Sequence, residues 1–204
     1  MSHADSLRRA QAIEIKKPAM ITFFHTGGID SLDFILSQLD KAIQTDSTFT
    51  QAYKDKALVL ASEKDYGGAI EILRTGYPHK TSDFQFLVFT GFLYQKQTDT
   101  IQAYQFYRKA IDICDEQIKL YPDSVYFYRE KALMLGFLHN SKDTLLHEFK
   151  RIQSRFPKDM AVPLLIEMFQ EEKNTLQNFL SNIANYEFIK EEYIKTLPPE
   201  RQKQ

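Results

Sequence analysis

The 204-residue chain has one cysteine, no tryptophan, and only seven glycines and seven prolines. The lone thiol, Cys114, excludes an internal disulfide framework and any multi-cysteine metal site. Turn residues this scarce argue against a sheet protein, which punctuates every short strand, and lean the composition towards helix. An excess of one charge is also missing. The 26 Lys and Arg stand against 27 Asp and Glu, a formal charge of -1, so the basic footprint of a nucleic-acid binder is absent. No apolar run approaches the length of a membrane span. The opening stretch, Ser2-His3-Ala4-Asp5-Ser6-Leu7-Arg8-Arg9, carries charge but no apolar core of a signal peptide. The expectation is a soluble, cytoplasmic chain. The alternative is a lipoprotein of the cell envelope, facing the periplasm, whose leader preceded Ser2.

What is present is a chain with 43% hydrophobic and 13% aromatic residues, all Phe and Tyr, long enough to bury a real core. Its small residues recur at a fixed step. Ala42 and Gly76 are 34 apart, as are Ala57 and Gly91, Ala69 and Ala103, and Gly76 and Ala110. Larger residues keep the same step: Leu39, Leu73 and Tyr107; Tyr53 and Leu87; Leu60 and Tyr94; Asp65 and Asp99. Helices in contact lie about 8–10 Å apart, and only small side chains fit where their axes come nearest. The interval from Ala57 to Ala69 crosses a short turn at Lys64-Asp65. The interval from Ala69 to Gly76 is one heptad, which keeps one helix face.

This pattern resembles the tetratricopeptide repeat, whose 34-residue unit sets large, small and aromatic residues in fixed order. Tyr53, Ala57, Leu60, Tyr66, Ala69, Leu73 and Gly76 fill it once, and Leu87, Gly91, Tyr94, Ala103, Tyr107 and Ala110 fill it again. Lys56 departs from it, standing where the family usually has Leu. The resemblance implies an all-α, right-handed superhelix of antiparallel helix hairpins, an α-solenoid with a concave binding surface.

A third unit opens at Tyr128-Arg129-Glu130-Lys131-Ala132-Leu133, a near copy of Tyr53-Lys54-Asp55-Lys56-Ala57-Leu58. Its offset is two periods plus one heptad, and a heptad adds about two helical turns while keeping the face in phase. The spacing predicts one long helix from Ala103 through Leu120, whose overhang offers a contact surface that ordinary repeats lack. The expected organisation is an N-terminal tail and lead-in over 1–28, partly disordered, then repeats over 29–157. These comprise an unpaired second helix at 31–45 and full units at about 50–78, 82–122 and 125–157. A degenerate fourth hairpin and a capping helix follow over 158–204, with helices expected at 160–171, 175–184 and 186–196.

The chain shows no catalytic spacing. His139 and His147 are eight apart, without the spacing of a zinc motif. His25-Thr26-Gly27-Gly28 lacks the strand and lysine of a phosphate loop and reads as a turn into the first helix. Cys114 reads as a helix-packing residue. Asp30 reads as a cap or first-turn acid. No cofactor, metal or catalytic residue is expected.

In the resembling family the first helix of each unit lines the concave face. By register the candidates here are Lys54, Asp55 and Leu58, then Val88, Phe89, Phe92 and Lys96, then Arg129, Glu130, Leu133 and Phe137. An apolar groove edged by cations suits an amphipathic helix or an extended peptide. The expected function is a scaffold or adaptor that binds a protein or peptide there, its identity unknown. The alternative is a structural, self-assembling, envelope-associated protein, a homo-oligomer whose groove is filled by its own terminal stripe of Tyr186, Phe188, Ile189, Tyr193 and Ile194.

Overall fold

The computed structural model describes residues 2–28, 30–76 and 84–171, with Gln85 as backbone alone. All regular structure among them is helical, with no strand. The helices expected at 175–184 and 186–196 lie outside the described residues. Those described form two compact units, taken in turn.

The first unit comprises α1 (His3–Thr26), α2 (Leu32–Thr45), α3 (Thr50–Ser62) and α4 (Tyr66–Gly76). Here the structure corrects the lead-in: α2 has a partner, the 24-residue α1, packed against it. α1 starts with a capping box. The Ser2 hydroxyl accepts from the Asp5 amide at 3.1 Å, and the Asp5 carboxylate accepts from the Ser2 amide at 2.9 Å. It ends at Gly27, whose φ of 61° lies in the left-handed region and lets its amide reach the Phe23 carbonyl. Ala19, Met20 and Phe23 join Ile35, Leu39 and Val59 in one buried cluster, and Ala12 joins Ala42, Phe49 and Ala52 in another. Ser31, not Asp30, occupies the N-cap of α2, and Asp30 sits before it with a φ of 58°.

The second unit comprises α5 (Phe84–Lys96), α6 (Thr100–Leu120), α7 (Val125–His139), α8 (Lys142–Arg155) and α9 (Ala161–Gln170). Each helix packs on the next. α6 is the longest in this unit at 21 residues, running through Ala103 to Leu120 as the extra heptad requires. Cys114 is buried within it, as a helix-packing residue should be.

Two local geometries recur through the chain. Within hairpins, one residue takes the left-handed conformation and the next caps the second helix. Lys64 (φ 63°) precedes Asp65, Thr98 (64°) precedes Asp99, and Asn140 (46°) precedes Ser141. The three capping side chains accept from the amides of Gly68, Gln102 and Thr144 at 2.9, 3.0 and 3.1 Å. Between hairpins, the Tyr53 hydroxyl donates to the Ser47 carbonyl at 3.1 Å. Its counterpart in the near copy, Tyr128, donates to the Pro122 carbonyl at 3.2 Å.

The glycines at repeat positions face rings. A Cβ on Gly76 would stand 2.6 Å from the Tyr53 ring, and one on Gly91 would stand 2.6 Å from that of Tyr107. At these two positions facing helices come close, and the sequence exchanges large and small residues between them. Tyr53 and Gly76 become Leu87 and Ala110 at the 34-residue step, while Ala57 and Leu73 become Gly91 and Tyr107. One member of each pair is large and the other small, conserving volume across the contact.

Candidate interaction surface

The candidate residues lie on α3 in the first unit and on α5 and α7 in the second. In the first unit, Asp55 on α3 is 5% exposed. It accepts from Lys16 of α1 at 2.5 Å and from Gln51 at 2.7 Å. Lys56, the departure from the family pattern, reaches back to Asp40 of α2 at 2.5 Å. Its counterpart Lys131 of α7 reaches Asp115 of α6 at the same 2.5 Å. The lysine at this register therefore clasps the preceding helix. At the intervening step Arg74 pairs with Glu71, and the Thr90 hydroxyl donates to the Phe86 carbonyl.

The candidates divide by burial. Lys54 is half-buried, and Leu58 is half-buried against the cluster of Met20, Phe23 and Ile35. In the second unit Val88, Phe89, Lys96, Arg129 and Glu130 keep partial exposure. Phe89 stacks on Phe92, with centroids 6.3 Å apart, and the Lys96 ammonium lies 5.4 Å from the Phe92 centroid. Phe92 and Leu133 themselves are buried, and Phe137 is buried against Tyr107, with centroids 5.8 Å apart. These three are core residues of the described structure, so the candidates of this unit that remain partly exposed are Val88, Phe89 and Lys96 on α5 and Arg129 and Glu130 on α7. For Phe137 the covering group is Tyr107. Its ring, admitted by Gly91, reaches across to α7 and covers Phe137.

The electrostatics of α7 follow from this packing. Burial raises the Glu130 carboxyl above the usual range, with Arg129 opposing the shift. Burial also raises Tyr126, one turn earlier, and the nearby Glu130 adds to it. The Cys114 thiol is pushed up to about 12 by burial, reinforced by Glu130 and Asp115, so it is held as an inert thiol. Among the described residues no three metal-ligating side chains converge, and no helix is long and apolar enough to cross a membrane.

A second exposed feature, whose aromatic make-up sequence reasoning missed, is the corner between α6 and α7 at the end of the α6 overhang. Leu120, Tyr121 and Tyr126 are exposed there. Phe127 stacks with Tyr121 at 6.4 Å and meets Tyr126 edge-on at 5.2 Å. The Arg155 guanidinium lies over Tyr128 and Phe156 at 5.0 and 5.5 Å. The signal was available in the run Val125-Tyr126-Phe127-Tyr128 beside the overhang of α6. Compared with models of known families and with curated proteins, the chain finds no match in either.

Proposed function

We propose that the chain is a non-catalytic protein–protein interaction scaffold. On this reading its hairpins stack as a tetratricopeptide-like superhelix, and the first helices hold a peptide or helix of a partner. The observation that carries it is the recurrence of one turn in three hairpins, and of one corner in the two near-copy segments, down to individual hydrogen bonds. Stacked hairpins of one geometry generate an extended surface in place of a closed reaction centre. The half-buried Val88 and Phe89, with Lys96 over the neighbouring Phe92 on the same helix and the cationic Arg129 on α7, have the apolar-with-cation character that suits an amphipathic segment.

The test is quantitative capture of partners by immobilised wild type, Phe89→Ser, Arg129→Glu and, as a control on an exposed second helix, Arg108→Glu. The first two variants should lose capture at least tenfold while the control keeps it. Equal capture by all four would remove these helices as the partner surface.

A further inference from the structure

Asp55 and Glu130 stand at one register position in two hairpins. Each follows a cation, Lys54 or Arg129, and each precedes a lysine that clasps the helix before it. Their surroundings differ in one respect. Asp55 is answered by Lys16, a basic side chain delivered from the helix lying alongside, and by Gln51. Half-buried Glu130 has no cation within ion-pair distance and no hydrogen-bond donor on its carboxylate among the described residues, and Arg129 acts on it only through the longer-range field. In α5 the register mates of Lys54 and Asp55 are Val88 and Phe89, which carry no charge.

The Glu130 carboxylate keeps some contact with water, which a partner covering it would remove, and a carboxylate covered without a counter-ion is an unfavourable arrangement. The first unit shows how this chain remedies it, with a lysine presented by a neighbouring helix. We propose that Glu130 receives a Lys or Arg from the partner segment, which sets an apolar or aromatic residue against Val88 and Phe89. This rests on the reading of α5 and α7 as a partner surface and narrows it. The partner carries a basic residue beside an apolar one, and charge selects it. Arg129, whose charge acts on Glu130, disfavours a segment with further cations and leaves Glu130 as the acceptor.

A phage library of random dodecapeptides, selected on the full chain, tests this in three parallel arms: wild type, Glu130→Gln and Glu130→Lys. Circular dichroism checks each variant for helix. Gln is close to Glu in shape and removes only the charge, so that arm stands even if the lysine variant misfolds. The wild-type pool should be enriched at least tenfold in peptides bearing one Lys or Arg beside an apolar or aromatic residue. Glu130→Gln should lose the basic preference, and Glu130→Lys should select acidic residues in its place. Synthetic wild-type winners should bind Glu130→Gln at least tenfold more weakly. Enrichment without a basic preference, or a motif unchanged by Glu130→Lys, overturns this inference and leaves the partner surface standing. No enrichment above a blank surface removes both.

Discussion

The Tyr107 ring occupies the space that a side chain on Gly91 would need, with a Cβ at that position only 2.6 Å away. The ring cannot retreat. Its hydroxyl donates to Gln95 at 2.7 Å, and its other side meets Phe137. Gly91→Ala should therefore cost about 1–3 kcal/mol in overpacking, against a gain of about 1 kcal/mol in helix propensity. A net loss is expected in urea melts. Tyr107→Leu alone should cost about 2 kcal/mol for the cavity left behind. Together they restore the Ala57 and Leu73 combination that the preceding hairpin uses, so the double variant should fall short of the summed losses by about 1 kcal/mol or more. Simple additivity would mean that the two residues do not share one contact.

The ion pair between Lys16 and Asp55 is mostly buried, with side-chain exposures of 18% and 7%. Lys16→Met strands a buried carboxylate and should lose roughly 3 kcal/mol, whereas Lys16→Met with Asp55→Leu should recover most of it. The pair of Lys131 and Asp115 is more open, at 31% and 41%, and Lys131→Met should shift stability by less than about 1 kcal/mol. Chemical denaturation of wild type and the three variants orders these effects.

Acid should loosen the attachment of α1. Burial pushes the Asp46 carboxyl up, but hydrogen bonds from Arg9 and Thr48 outweigh it and hold the group below the usual carboxylate range. A lowered folded-state value means that folding favours the ionised form. This contribution is complete above about pH 4, the unfolded value, and is lost as pH falls through the folded one. Asp46→Asn should lower stability at neutral pH and flatten the acid limb of a stability profile. An acid limb as steep as that of wild type would assign the acid sensitivity to other groups.

Glu130 titrates in the opposite sense. Its raised carboxyl value, caused by burial, means that folding disfavours the charged form. Glu130→Gln should therefore melt no lower than wild type at pH 7, with the advantage shrinking as the pH falls and wild type takes up its proton. A lower melting temperature for Glu130→Gln at neutral pH would show that the carboxylate has a stabilising counter-ion in the fold.

Much of this architecture was legible in the residues because close packing leaves a strong trace. Gly91 and Ala103 mark approaching helices, and the extra heptad before the near copy foretold the length of α6. α1 was not legible, for a physical reason. The residues it buries include small Ala12 and Ala19, Pro18 interrupts its middle, and Arg9 and Lys16 attach it through charge. Leu7, Ile13, Ile21 and Phe24 are its exposed apolar residues, so the periodic stripe that reveals a packed helix is blurred. The surface was legible only in part. Register places Phe92, Leu133 and Phe137 on the first helices, but it does not reveal that Tyr107 reaches across and draws Phe137 into the core. The lysine clasps were written in the near copy itself, where Lys56 and Lys131 follow Asp40 and Asp115 at one and the same spacing.

Site-specific photo-crosslinking measures the central claim most directly. A photoreactive residue placed at Arg129, on the first helix of its hairpin, should yield discrete adducts with a partner polypeptide in cells. The same residue at exposed Arg108, on a second helix, should yield few. Adducts from position 108 with none from position 129 would contradict a partner surface on the first helices.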